Sequence, residues 1–420
     1  MSDTTPYFPT IEAVEAAAKK LEGVANITPL TPNMQYSSTY DCNISFKRED
    51  LQVVRSYKIR GAYNKMSSLT EQEAANGVVC ASAGNHAQGV ALSCKLLKIQ
   101  GTIFMPSTTP NQKIERVKMF GEHYVKIILI GDSFDDAYNA AIKDCTERQK
   151  TFIHPFNDEK VIEGQATLGL ELIHQTGTPI DYIFVAVGGG GLASGLSTVF
   201  KQLSPNTKII GVEPEGAPSM KMAFQKGEVV ELEAIDNFVD GAAVKRVGDK
   251  NFTICKSNLH DMITIHEGNA CQTILDLYNK EAIIAEPAGA LSVSALEEYK
   301  DEIKGKNVVC IISGGNNDIT RTAEIKERAL LYSNLKHYFI VTFPQRAGAL
   351  REFVVDILGP NDDIAHFEYT KKVNRENDVA VVGIELKSQH DLEPLIAKMK
   401  EYNFYGDYLN EKPDLFQFLV

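Results

Sequence analysis

Tyr182-Ile-Phe-Val-Ala-Val-Gly-Gly-Gly-Gly-Leu192 is the stretch from which the fold can be read. An apolar run without polar alternation leads into four glycines, and a helical pattern begins at Leu192. A strand apolar on both faces belongs to a parallel sheet covered by helices on either side. The same pattern extends in both directions. Upstream, strands are expected at Gly77–Cys80, Gly101–Met105 and Tyr124–Ile130, with helices at His86–Leu97, Asn111–Phe120 and Asp135–Arg148. Downstream, Lys208–Val212 and Asn307–Ile312 repeat the strand signal. This alternation is the doubly wound α/β class, with one sheet around residues 75–150 and another built mainly from 160–320.

The pattern changes after about residue 330. His337–Phe343 reads as a strand, and Pro344-Gln-Arg-Ala-Gly-Ala349 as a turn into a helix ending near Leu358. Strands Asp363–Thr370 and Val379–Leu386, a helix Leu392–Tyr402 and a strand near Tyr408 follow. That βαββαβ order is the ferredoxin-like plan. The expected domains are residues 1–325, with a small subdomain at about 55–155 inserted in a larger one, and residues 337–412. Residues 326–336, overlapping a charged helical segment from Arg321 to Asn334, are expected to link them.

Composition narrows the function. A formal net charge of -12 lacks the basic footprint that nucleic acid requires. No apolar run approaches the ~20 residues of a membrane span, and the first residues lack the charged and apolar regions of a secretory signal. Seven cysteines stand singly, without a C-x-x-C pair, so neither a disulfide framework nor a zinc cluster is expected. These features point to a cytoplasmic protein with reduced thiols.

Four segments could carry chemistry, each at or near a predicted strand end, where open α/β sheets bind ligands. Lys47 to Gly61 contains Lys58 in Ser56-Tyr57-Lys58-Ile59-Arg60-Gly61. Ser82-Ala83-Gly84-Asn85-His86 opens a helix whose amides can receive an anion, or it simply caps that helix. Gly188, Gly189, Gly190, Gly191 and Leu192 let backbone N–H groups close on a phosphate without Cβ obstruction. The same glycines also fit a dinucleotide fingerprint, with Glu213 ending the next strand as a ribose-binding acid. Ser313-Gly-Gly-Asn-Asn317 offers a hydroxyl, or only a turn.

Together these segments resemble the fold-type II pyridoxal-phosphate enzymes, the tryptophan-synthase-β-like group, and within it the biosynthetic threonine dehydratases. The resemblance covers roughly residues 5–325 and implies a catalytic domain that takes pyridoxal 5'-phosphate. It implies Lys58 as the Schiff-base lysine and catalytic base, and Phe46 as the residue packing on the cofactor ring. Asn85 falls on the ring oxygen, Gly188–Leu192 on the phosphate and Ser313 on the ring nitrogen. Ser82, Ala83, Gly84, Asn85 and His86 fall on the loop for the substrate carboxylate. His154–Glu159 and Gly164–Gly169 also look like this family's. The tail is similar to an ACT-like regulatory domain, present once here where the longest relatives have two. It implies a branched-chain amino-acid effector at Arg346, Ala347, Gly348, Ala349 and Leu350, and a homo-oligomer.

The implied reaction is dehydration and deamination of threonine to 2-oxobutanoate and ammonia, the first step of isoleucine biosynthesis. A neutral hydroxyl at Ser313 suits elimination better than transamination. Racemases of the family use a second hydroxyl where this chain has Ala83. They also hold a metal after the strand ending at Val212, where this chain has Glu213 and Ala217 but Ser219 in place of the last carboxylate. Racemization and a metal site are therefore not expected. A sensor on a dead scaffold would have lost Lys58 or the glycines, and neither is lost.

Overall fold

The computed structural model describes residues 6–370 and 377–412. The chain divides into two compact units, Met1–Ile319 and Thr320–Val420. In the first, β1 (Leu30–Pro32) and β2 (Asn43–Arg48) precede β3 (Val78–Ala81), β4 (Gly101–Met105), β5 (Val125–Leu129) and β6 (Thr151–Phe152). They are followed by β7 (Tyr182–Ala186), β8 (Lys208–Pro214), β9 (Asp261–Ile265) and β10 (Asn307–Ile312). One sheet has the order β5-β4-β3-β6, all parallel. The other has the order β1-β2-β10-β7-β8-β9, parallel except for the antiparallel β1–β2 pair.

Two cores account for the continuous apolar strands. Val185, Val187, Leu196, Phe200, Val309 and Ile311 are buried together around the larger sheet. Val78, Cys80, Val90, Ile103 and Val117 are buried together around the smaller. On the other face of the smaller sheet Val79, Ala81 and Phe104 are buried with Ala137 and Ala141, and burying each large apolar side chain contributes roughly 1.5–3 kcal/mol.

The larger sheet extends beyond the expected 160–320, because β2 pairs in parallel with β10 from Asn43↔Asn307 to Arg48↔Ile312. Charge hides this strand from a hydropathy reading. Lys47 and Glu49 are fully buried within an ion network centred on Arg60. The Arg60 guanidinium donates to both Glu49 oxygens at 2.8 Å and to Glu171 at 2.6 and 3.0 Å. Lys47 Nζ donates to Glu171 at 2.5 Å and to Gln175 at 2.9 Å. The network ties β2 to helices Lys58–Met66 and Glu159–Gln175. Those helices cross at glycines: a Cβ on Gly164 would sit 2.7 Å from Gly61 Cα.

The second unit has the antiparallel order β12-β13-β11-β14, with β11 at Lys336–Pro344, β12 at Asp363–Thr370, β13 at Asn377–Glu385 and β14 at Tyr405–Tyr408. Helix Leu392–Glu401 packs on it, and the helix from Ala349 widens into a π turn over Phe353–Ile357. Phe339, Val341, Phe353, Val382, Met399 and Phe404 form its core. The expected linker is largely helix Thr322–Tyr332, and it belongs to this unit. Tyr338 Oη donates to Glu327 at 2.7 Å, and Lys336 pairs with the same carboxylate. Among the described residues no helix is long and apolar enough to cross a membrane.

Candidate active site

Lys58 opens helix Lys58–Met66, directly after an irregular segment that pairs with the end of the larger sheet. Ser56 bridges Gly314, Tyr57 N–H donates to Ser313 O at 3.2 Å, and Gly315 N–H donates to Arg55 O at 2.9 Å. The lysine Nζ donates to Pro155 O at 3.0 Å. Burial lowers its amine from the ordinary lysine range to about 8, and the negative charge of Glu286 pulls it partly back. An amine so depressed can give up its proton near neutral pH. Gly89 permits the close approach of the neighbouring helix, since a Cβ there would sit 3.2 Å from Lys58 C.

That neighbouring helix, Asn85–Leu97, follows β3 through Ser82, Ala83 and Gly84. Ser82 Oγ accepts from Gly84 N–H at 3.2 Å. Asn85 donates through Nδ2 to Glu286 at 2.6 Å and accepts from Asn316 Nδ2 at 2.6 Å. His86 turns inward instead. Its ring is 3% exposed with Nε2 against Ile153 O at 2.8 Å, and burial lowers it to about 3. It is a neutral packing histidine.

The glycine run forms the turn between β7 and helix Gly191–Leu203, with Gly190 at φ +92° capping the helix. A Cβ on Gly190 would sit 2.7 Å from Met220 Cε and 2.9 Å from Asn251 Cβ; one on Gly191 would sit 3.0 Å from Phe156 Cβ. Asn251 Nδ2 braces the turn by donating to Gly189 O at 2.7 Å and to Phe156 O at 3.1 Å. The opening amides of this helix have no intrahelical acceptor and suit a phosphate. Glu213 does not serve a ribose. It is fully buried and accepts from the amides of Met220 and Lys221 at 2.7 and 2.8 Å, so the dinucleotide alternative has lost its acid. Among the described residues no acidic, histidine or cysteine cluster could hold a metal.

Contacts link these segments in a chain: Tyr57 N–H donates to Ser313 O, Gly89 lies against the Lys58 backbone, Lys58 Nζ donates to Pro155 O, and Phe156, next to Pro155, packs against the glycine turn. Phe46 is buried in β2 with its ring edge-on to Tyr36, centroids 5.6 Å apart. The ring next to the lysine is Tyr57, 5.3 Å from Nζ. Sequence reasoning also missed Glu286, Asn316, Phe156 as a packing partner of the turn, and Asn251. A pyridoxal phosphate fits these residues. They offer a depressed amine, a glycine cradle with free amides and Ser56 Oγ, which is buried without a hydrogen-bond partner.

In the second unit, Arg346, Ala347, Gly348, Ala349 and Leu350 line a cavity of about 350 Å³ with Phe343, Phe367, Tyr369 and Asp378. The Arg346 side chain pairs with Glu352. Asp378 is 2% exposed and accepts from Gln345 at 3.0 Å and Tyr369 at 2.8 Å.

Residues 21–314 match the family described as pyridoxal-phosphate dependent enzyme, and residues 327–419 match the C-terminal regulatory domain of threonine dehydratase. The chain is 54% identical over 410 residues to the biosynthetic L-threonine dehydratase of Halalkalibacterium halodurans, covering 98% of this chain and 99% of that one. Its counterpart in Bacillus subtilis is also 54% identical, over 98% of this chain and 97% of its own length. The processed form of threonine deaminase isoform 2 from Solanum lycopersicum superposes with a TM-score of 0.72 at 38% identity, covering 77% of this chain and 96% of that chain. Maize serine racemase gives a TM-score of 0.72 at 28% identity, over 78% and 99%. The catalytic fold alone is thus shared with racemases, whereas near-full-length identity and the regulatory unit are not. This chain belongs to the biosynthetic L-threonine dehydratases of the pyridoxal-phosphate-dependent enzyme family.

Proposed function

We propose that the chain converts L-threonine to 2-oxobutanoate and ammonia, under control of isoleucine and valine acting on the C-terminal unit. The observation that supports this reading is the buried Lys58 amine, lowered to about 8 and held on Pro155 O, next to the Phe156 that packs on the Gly188–Leu192 turn. Pyridoxal phosphate, when bound, supplies the electron sink that makes an amino acid's α-proton removable. Lys58 Nζ would tether the cofactor and, once free, would take the substrate α-proton. Threonine loses water across its α- and β-carbons, and the enamine, as its imine tautomer, is hydrolysed to 2-oxobutanoate and ammonia. Gly188 to Leu192 would hold the phosphate, Asn85 the ring oxygen and Ser313 the ring nitrogen. Ser82 to Asn85 receive the substrate carboxylate.

Effector binding falls on the cavity lined by Arg346 to Leu350, where Asp378 offers a buried acid and Phe343 and Phe367 apolar walls. The same reading makes the enzyme a cytoplasmic homo-oligomer. The test is direct. Purified protein should absorb near ~410 nm, lose that band with borohydride and release 2-oxobutanoate from threonine. Absence of both the band and the product would overturn the assignment.

A further inference from the structure

Glu286 is a buried acid that the expected machinery does not use. It stands at the N-cap of helix Pro287–Ser294, yet its side chain makes no cap hydrogen bond. It is 6% exposed and accepts instead from Asn85 Nδ2 at 2.6 Å. On the other side, Asn316 Nδ2 donates to Val54 O at 2.8 Å and to Asn85 Oδ1 at 2.6 Å. The backbone makes room for this arrangement. A Cβ on Gly314 would sit 2.9 Å from Glu286 Cδ and 3.3 Å from Asn85 Nδ2. An ionised carboxylate can only accept, and an amide NH2 can only donate. Turning the Asn85 amide over would place oxygen against oxygen and NH2 against NH2.

We propose that Glu286 is a positioning residue for the elimination, acting through Asn85: Glu286 and Asn316 lock the amide so that its second N–H stays free for the cofactor. This rests on the reading that Asn85 holds the cofactor ring oxygen. Protonation loosens the Glu286 side of the lock, because a neutral carboxyl can donate to an overturned amide and only Asn316 then opposes the turn. Burial raises the Glu286 carboxyl to about 7, Asp240 adds to the rise, and Asn85 and Lys113 oppose it. The charged and titratable groups around it are thus Asp240, Lys113 on helix Asn111–Gly121, and Lys58 and Tyr57.

The test uses the full chain, with cofactor affinity measured by titrating the apo-protein and threonine kinetics measured on the holoenzyme. Hydrogen bonds to charged groups predict that Glu286→Ala weakens cofactor binding and lowers kcat by roughly tenfold or more. KM should stay within about twofold. In an Asn85→Ala background the same change should cost nothing further, as expected when one residue acts through another. If the two effects multiply, Asn85 keeps its role and the proposal for Glu286 fails. If Asn85→Ala leaves cofactor affinity unchanged, the reading of Asn85 fails and the proposal with it. Should Glu286→Ala not fold, Glu286→Gln decides: the acid limb of kcat/KM near pH 7 should disappear, and an unmoved limb overturns the proposal.

Discussion

Lys58 shows how one side chain acquires its chemistry from its surroundings. A surface lysine is protonated at neutral pH and is a poor base, whereas burial brings this amine to about 8. Its N–H to Pro155 O holds Nζ at the end of the loop that packs the glycine turn. Lys58→Ala removes tether and base together, and losing a positioned proton-transfer group alone costs roughly 10²–10⁴-fold. We expect no 2-oxobutanoate above that residue, measured by coupled assay. More than a tenth of wild-type turnover would remove Lys58 from the mechanism. Ala83 tests the reaction's stereochemistry in the same way. Supplying a hydroxyl by Ala83→Ser should produce measurable D-amino acid on chiral chromatography, and strong racemization by the unaltered enzyme would refute the argument from Ala83.

Among the elements, the lysine helix is held by ions as well as by the apolar packing of Ile59, Ala62 and Met66. Arg60, two residues after Lys58, is 1% exposed and pairs with Glu49 in the segment after β2 and with Glu171 on helix Glu159–Gln175. Burial pushes the Glu49 carboxyl up, but Arg60 overrides it and holds the group below the usual carboxylate range. The sign follows from that lowered value. The ion network stabilises the fold fully above the ordinary glutamate value of about 4.3, and the contribution is lost as pH falls through the folded value. Removing one partner leaves buried charge uncompensated, which costs about 3–5 kcal/mol. Arg60→Leu should therefore lower the unfolding free energy of the catalytic unit, read from urea denaturation, by an amount of that order. A change under about 0.5 kcal/mol, the size typical of a surface substitution, would contradict the network's role.

At the scale of the whole molecule, regulation requires two sites whose binding energies are coupled. Isoleucine should raise the threonine concentration at half-maximal rate, with a coupling of about 1–3 kcal/mol, or roughly 5–150-fold. Threonine must weaken isoleucine binding by the same factor, which calorimetry can check on the intact chain. The place to cut follows from the helix Thr322–Tyr332, which belongs to the second unit. Ending the chain after Asn334 would strand the buried Ile325 and Ala329 of that helix, so the cut belongs after Ile319. The shortened enzyme should keep threonine turnover and lose its response to isoleucine. A threonine saturation curve of the intact enzyme unmoved by millimolar isoleucine would leave the second unit a scaffold.

What the sequence by itself determined were the features written locally in the chain. Apolar runs such as Tyr182–Val187 announce strands buried on both faces, because neighbouring residues along one strand meet the two helical layers. The glycines at 188–191 announce a turn that no side chain could occupy, and Gly190 does take a positive φ. Lys58 and Ser313 could be named because their segments keep a recognisable order of residue types. The tertiary structure alone decided what depends on partners far away. The end of β2 and the turn after it read as surface because Lys47 and Glu49 are charged, and their burial depends on Arg60, Glu171, Thr28 and Gln175 reaching them from elsewhere in the chain. Phe46 and Tyr57 are both aromatic residues beside a lysine, and the fold puts Phe46 in β2 against Tyr36 and Tyr57 at the cap of the Lys58 helix, near Nζ. Glu286 carries no local mark of function at all. Its role arises where the ends of β3 and β10 bring Asn85, Gly314 and Asn316 to it, some 200 residues from Asn85 in sequence.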